Sequence, residues 1–162
     1  MFLKHLDAFK IYIIFLIISS SIVISGVPEF PLINYIAYLF IHFLLIYIGI
    51  YHFRFILYFV FFVIGMIFDI FLLNEIGPHL FIFMLLIFIL SQLQKSFVYL
   101  SSLKIFIFIL VALFLSILFE KLFSSILYNF SFELSDLLNF IIISIVFSYP
   151  TFYLFSKIDR FG

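Results

Sequence analysis

Asp69 and Glu120 offer the most chemistry in this sequence, because each interrupts a long apolar run. A carboxylate within hydrocarbon costs a few kcal/mol or more, so each should face protein or water rather than lipid. Gly65 lies four residues before Asp69 and shares its helix face. Its lack of a side chain would let a neighbouring helix approach closely. Asn74, Glu75, Gly77 and Pro78 then break the apolar pattern and turn the chain back. Of the four histidines, only His42 falls well inside an apolar run; His52 and His79 fall at run ends and His5 in the N-terminal tail. This scatter has no metal-ligand spacing, so His42 is expected to be a hydrogen-bonded core histidine. Two acids so far apart make no acid–base pair. The sequence has no HExxH pair, no GxSxG elbow and no phosphate-cradling Gly loop. No catalytic, cofactor-binding or metal-ligating residues are therefore expected, and no enzyme activity.

The elements that must position these residues are apolar throughout. The chain has 162 residues, of which 68% are hydrophobic and 10% charged, and a mean hydropathy of +1.45. A soluble domain of this size still exposes roughly a third of its surface, which such a composition cannot supply in polar form. Lipid is the solvent that fits, so the chain reads as an integral membrane protein. A formal net charge of zero gives no reason to expect nucleic-acid binding. The absence of cysteine excludes disulfides, thiolate metal sites and cysteine nucleophiles.

Six apolar runs are expected to cross the bilayer, at residues 11–25, 32–50, 55–73, 80–93, 105–128 and 137–155. Each needs about 20 residues to span, and the first and fourth are short. Exposed backbone is not tolerated in lipid, so each run should be helical. A barrel would alternate polar and apolar residues, and these runs are apolar on every face. The expected architecture is one compact all-α bundle over residues 1–162, with short loops and no extramembrane domain.

Lys and Arg collect on the cytoplasmic side of membranes. With both termini cytoplasmic, the inner segments hold Lys4, Lys10, Arg54, Lys95, Lys104, Lys157 and Arg160, whereas the outer side holds only Lys121. Glu29, Glu75, Glu120, Glu133 and Asp136 lean the other way. Residues 1–25 also have the build of a cleavable signal peptide, with Lys4 and Lys10, an apolar core, then Ser and Gly. A retained first helix is favoured, because Ser19, Ser20, Ser21, Ser25 and Gly26 also make a small-residue packing face.

Several helices carry small or polar residues three or four apart. Tyr35, Tyr38, His42 and Gly49 fall near one face; Ala112, Ser116, Glu120 and Ser124 form a second row, and Ser144, Ser148 and Thr151 a third. Pro150 is expected to kink the last helix. These rows should point inward, where hydroxyls can hydrogen-bond across helices. The sharper reading is that Tyr35, Tyr38 and His42 line a pocket together with Asp69 and Glu120, or that these groups shape a partner-binding groove.

Gly65-Met66-Ile67-Phe68-Asp69, with Gly77 eight residues after the acid, resembles the rod shape-determining protein MreD family. Arg54 stands near a family basic residue that opens this segment. Glu120 falls where members carry a later acid, and Pro150 with Lys157 resembles the family's terminal helix. The likeness runs from about Pro28 to Lys157, carried by the order and spacing of its motifs. The Pro78-His79 pair and the missing Trp residues depart from it. The resemblance implies a non-enzymatic plasma-membrane subunit of the bacterial elongation machinery, without a cofactor. It would bind MreC directly and, through it, connect to MreB, to RodA and to the class B penicillin-binding transpeptidase. Gly65, Asp69, Gly77 and Glu120 would then form a partner or packing face, the remaining surface meeting membrane lipids. The family fold is also similar to the substrate-binding subunits of energy-coupling-factor vitamin transporters. That similarity supplies an alternative function of another class, the binding of a small molecule.

Overall fold

The computed structural model describes residues 8–26, 31–73, 77–128 and 134–161. Lys4, His5, Glu29, Asn74, Glu75 and Glu133 lie outside the described residues, as do the side chains of Asp136 and Arg160. The described chain is helical: α1 (Ala8–Ser25), α2 (Pro31–Tyr51), α3 (Ile56–Phe68), α4 (Pro78–Phe97), α5 (Ser102–Tyr128) and α6 (Leu134–Phe161). α3 continues into a π-helical turn over Asp69–Leu73. Six segments are long and apolar enough to cross a membrane, as the apolar runs predict.

Helix limits differ from the apolar runs where polar residues still favour helix. α4 begins at Pro78, which suits the first helical position because its missing N–H would have had no partner there. It runs past Gln92, Gln94 and Lys95, all exposed good helix formers, so the fourth span has 20 residues rather than a short 14-residue run. α6 likewise carries Lys157 and Asp159 within the helix, and runs on through Pro150. Gly26 ends α1 at φ +53, a left-handed conformation that costs glycine little, and returns its N–H to the Ile22 carbonyl at 3.2 Å.

α2 is the spine. Every residue from Ile41 to Ile48 is 0–1% exposed, so other helices surround it on all faces. α1, α4, α5 and α6 all pack on it, and α3 closes a hairpin on α4. Gly65 makes that hairpin tight: a Cβ there would sit 2.7 Å from Leu80 Cα and 3.2 Å from the His79 carbonyl oxygen. The outside is apolar, with Phe59, Phe71, Phe88, Ile126 and Val146 among its exposed side chains. In water so continuous an apolar surface would be a liability; against hydrocarbon it is the expected one.

The small-residue rows do point inward, since Ser116, Glu120, Ser144, Ser148 and Thr151 are buried. Their recorded hydroxyl bonds stay within the helix, however. Ser116 donates to the Ala112 carbonyl and Thr151 to the Phe147 carbonyl, while Ser148 Oγ is buried with no hydrogen-bond partner. The hydroxyls of Ser116, Ser148 and Thr151 therefore serve close packing, and the ties between helices run instead through the rows' Glu120, Tyr38 and His42 and through residues outside the rows.

Candidate functional site

Apart from the Tyr58 hydroxyl, which donates to Ser91 Oγ at 2.9 Å between α3 and α4, the cross-helix ties are built from acids, histidines and tyrosines, and they gather at the two ends of α2. At the end remote from the start of α1, the π-helical turn lets Asp69 reach the start of α4. Its Oδ2 accepts the N–H of Gly77 at 2.8 Å and of Leu80 at 3.0 Å, and its Oδ1 accepts the N–H of His79 at 2.9 Å. The first N–H groups of a helix lack partners inside it, and the positive end of the helix dipole favours an anion there. Gly77, the residue before the helix, has no side chain to cap with. Asp69 supplies that cap from the preceding helix.

The same carboxylate starts a chain of side chains. His79 Nδ1 lies 2.8 Å from Asp69 Oδ1, and His79 Nε2 lies 3.1 Å from the Tyr38 hydroxyl. The Tyr38 hydroxyl donates to Glu120 Oε2. His42 Nε2 lies 2.9 Å and 3.0 Å from the two Glu120 oxygens, and His42 Nδ1 lies 2.9 Å from the Tyr38 carbonyl. His42 and Asp69 are 0% exposed, Glu120 2% and His79 5%. Phe68 stacks on Tyr38, and Phe83 stands edge-on to His42. One polar line thus joins α2, α3, α4 and α5 inside an aromatic sleeve.

The two acids that seem too separated in sequence for joint chemistry are brought into this one network, each paired with a histidine. His79 falls at the end of its run, as the second residue of α4, and is buried there. Tyr38, His42 and Glu120 hydrogen-bond one another, and Asp69 joins them through His79, so their polar atoms are directed at neighbours within the chain. Tyr35 stacks on Phe140 of α6 at a ring separation of 3.9 Å. Gly77 contributes its backbone N–H, and a Cβ there would meet the Tyr128 hydroxyl at 2.7 Å. Lys121 is exposed and sits with its Nζ 5.5 Å from the centre of the Phe140 ring. Among the described residues no group of three or more His, Asp or Glu could hold a metal.

A second network, which sequence reasoning missed, occupies the opposite end of α2. Asp159 of α6 accepts the Tyr12 hydroxyl of α1 at 2.6 Å and the Tyr47 hydroxyl of α2, and His52 Nε2 lies 3.0 Å away. Tyr12 and Tyr47 pack on each other and on Phe155, with ring centres 4.9–5.6 Å apart. Asp159 stands between Lys157 and Arg160 and so reads in sequence as part of a charged, solvated helix end. The available signal was positional: Tyr12, Tyr47, His52 and Asp159 all fall at the same end of an antiparallel bundle.

A cavity of about 300 Å³ lies between α5 and α6. It is lined by Leu110, Val111 and Phe114 from α5 and by Ile141, Ser144 and Ile145 from α6. Val111, Phe114 and Ile145 are exposed, so the cavity opens on the surface that faces lipid. Comparison of the chain with protein-family models, curated proteins and solved structures finds no match.

Proposed function

We propose that this chain is a non-enzymatic scaffold subunit of the bacterial wall-elongation complex, of the MreD kind. In this reading it lies in the plasma membrane with both termini cytoplasmic and docks the single transmembrane helix of MreC. Through MreC it connects to MreB, to RodA and to the class B transpeptidase. The observation that carries the reading is the direction of the polar groups. Asp69, His79, Tyr38, Glu120 and His42 are bonded to one another inside the bundle, whereas the surface at membrane depth is apolar. What such a surface offers its surroundings is shape, and helix association in lipid rests on shape-matched packing. The cleft between α5 and α6 indents that surface, and the reading assigns the partner helix to it. The transporter alternative would need Tyr38, His42 and Glu120 to turn toward a ligand, at the loss of several buried hydrogen bonds of about 1.5–3 kcal/mol each to charged groups.

The chain has no cysteine, so single cysteines can be introduced without background. Val111→Cys or Ile145→Cys, paired with one cysteine in the MreC span, should give a disulfide-linked heterodimer in membranes. Ile17→Cys, on the exposed face of α1, should not. Equal yields at Ile17 and Val111 would remove the α5–α6 face from the proposal. Failure of the cysteine-free parent to co-purify with MreC would overturn the scaffold reading itself.

A further inference from the structure

The line from Asp69 to His42 can be counted in protons. It contains five polar contacts: Asp69 with His79 Nδ1, His79 Nε2 with the Tyr38 hydroxyl, that hydroxyl with Glu120, Glu120 with His42 Nε2, and His42 Nδ1 with the Tyr38 carbonyl. The four that join a ring nitrogen to its partner span 2.8–3.1 Å. Two electronegative atoms so close need a hydrogen between them, one for each contact. Two neutral imidazoles, one phenol and two ionised carboxylates carry three such hydrogens, one on each ring and one on the hydroxyl. Five contacts therefore require two more.

Geometry places the extra two. His42 Nδ1 faces a carbonyl, which only accepts, so that nitrogen carries a hydrogen. His42 Nε2 lies nearly equidistant from both oxygens of Glu120, as an N–H aimed between two carboxylate oxygens would. Asp69 already accepts three backbone N–H groups and so meets His79 Nδ1 as an acceptor. The Tyr38 hydrogen is committed to Glu120, and His79 Nε2 must then supply the hydrogen to the Tyr38 oxygen.

We propose that this buried network is a two-proton site, made of two imidazolium–carboxylate pairs, Asp69/His79 and Glu120/His42, joined through the Tyr38 hydroxyl. Loss of either proton would leave a buried carboxylate without its counter-charge and a contact without its hydrogen, a strongly destabilising combination. The loaded site is neutral overall, which is what a dry interior tolerates. Its surroundings add little charge. Among the described residues the nearby titratable groups are Lys121, on the exposed side of α5, Tyr35, stacked on Phe140, and Tyr128, beside Gly77. α6 contributes Phe140.

The test is the protonation of each ring. The full chain, labelled with nitrogen-15 histidine and placed in phosphatidylcholine nanodiscs, would be observed by nuclear magnetic resonance at pH 7.5, with His42→Gln and His79→Gln for assignment. An unperturbed histidine is ~90% neutral there. His42 and His79 should each show two protonated nitrogens. Glu120→Gln should return His42 alone to the neutral ring while His79 keeps both protons, a change that mere loss of packing would not confine to one histidine. A bare ring nitrogen on either residue in the wild-type chain would overturn the proposal, as would a His42 that stays doubly protonated in Glu120→Gln. The wild-type spectrum decides by itself if that variant does not fold.

Discussion

Replacing Asp69 by Ala would take the acceptor away from four donors at once, three of them backbone N–H groups at the start of α4. A side chain that caps its own helix contributes about 0.5–2 kcal/mol. Removing one member of a buried charged pair costs about 3–5 kcal/mol, and Asp69 fills both roles. Asp69→Ala should therefore lower unfolding stability in detergent by about 3–5 kcal/mol, with Asp69→Asn recovering part of the loss because its amide oxygen still accepts. A change under about 1 kcal/mol in Asp69→Ala would show that α4 finds its cap elsewhere. At the opposite end, Tyr12→Phe deletes one hydroxyl from Asp159 and should cost about 1.5–3 kcal/mol, as for a hydrogen bond to a charged group. Asp159→Asn weakens the same contact, so the double variant should fall short of the summed single effects by about 0.5–3 kcal/mol. Strict additivity in that cycle would mean that the two residues do not act together.

Helix contacts within this bundle gain little from apolar burial, because lipid is as apolar as the side chains it surrounds. Close packing and internal hydrogen bonds must hold the elements together. Gly65 and Gly49 let the packing part be measured. A Cβ on Gly65 would strike the backbone of α4, which cannot move without opening the α3–α4 hairpin. A Cβ on Gly49 would sit 2.5 Å from the tip of the Leu90 side chain, which can rotate away. Gly65→Ala should therefore destabilise the chain by about 1–3 kcal/mol, the usual range for overpacking, and Gly49→Ala by distinctly less. The reverse order in thermal unfolding would contradict this account of the hairpin. These elements were legible in sequence to different degrees. Six apolar runs and their inward rows could be read because lipid forces helices and small residues mark close contacts. The cap of α4 could not, because it comes from Asp69, across a turn; Pro78 marks only where that helix begins. The pairing of Glu120 with His42 was equally hidden, since 78 residues separate them in the chain. Asp159 was concealed by its basic neighbours.

At the scale of the whole molecule, the Tyr12–Asp159 bond sets a constraint that does not depend on the direction of insertion. It holds the start of α1 beside the end of α6, so an even number of crossings must separate them. The proposed direction rests on charge: Lys10, Arg54, Lys95, Lys104 and Lys157 all belong to that end, and Lys121 to the other. The bias toward cytoplasmic Lys and Arg counts residues near the ends of spans, where all of these lie. Single cysteines in the cysteine-free chain report it directly. Ser101, between α4 and α5, is exposed at the end shared with the start of α1, and Leu127, in the last turn of α5, is exposed at the far end. In intact cells a membrane-impermeant maleimide should label Leu127→Cys and leave Ser101→Cys unlabelled until the membrane is opened. The opposite pattern would invert the bundle while leaving its fold intact. Labelling of both sites from outside would break the six-span arrangement, because α5 would no longer cross between them.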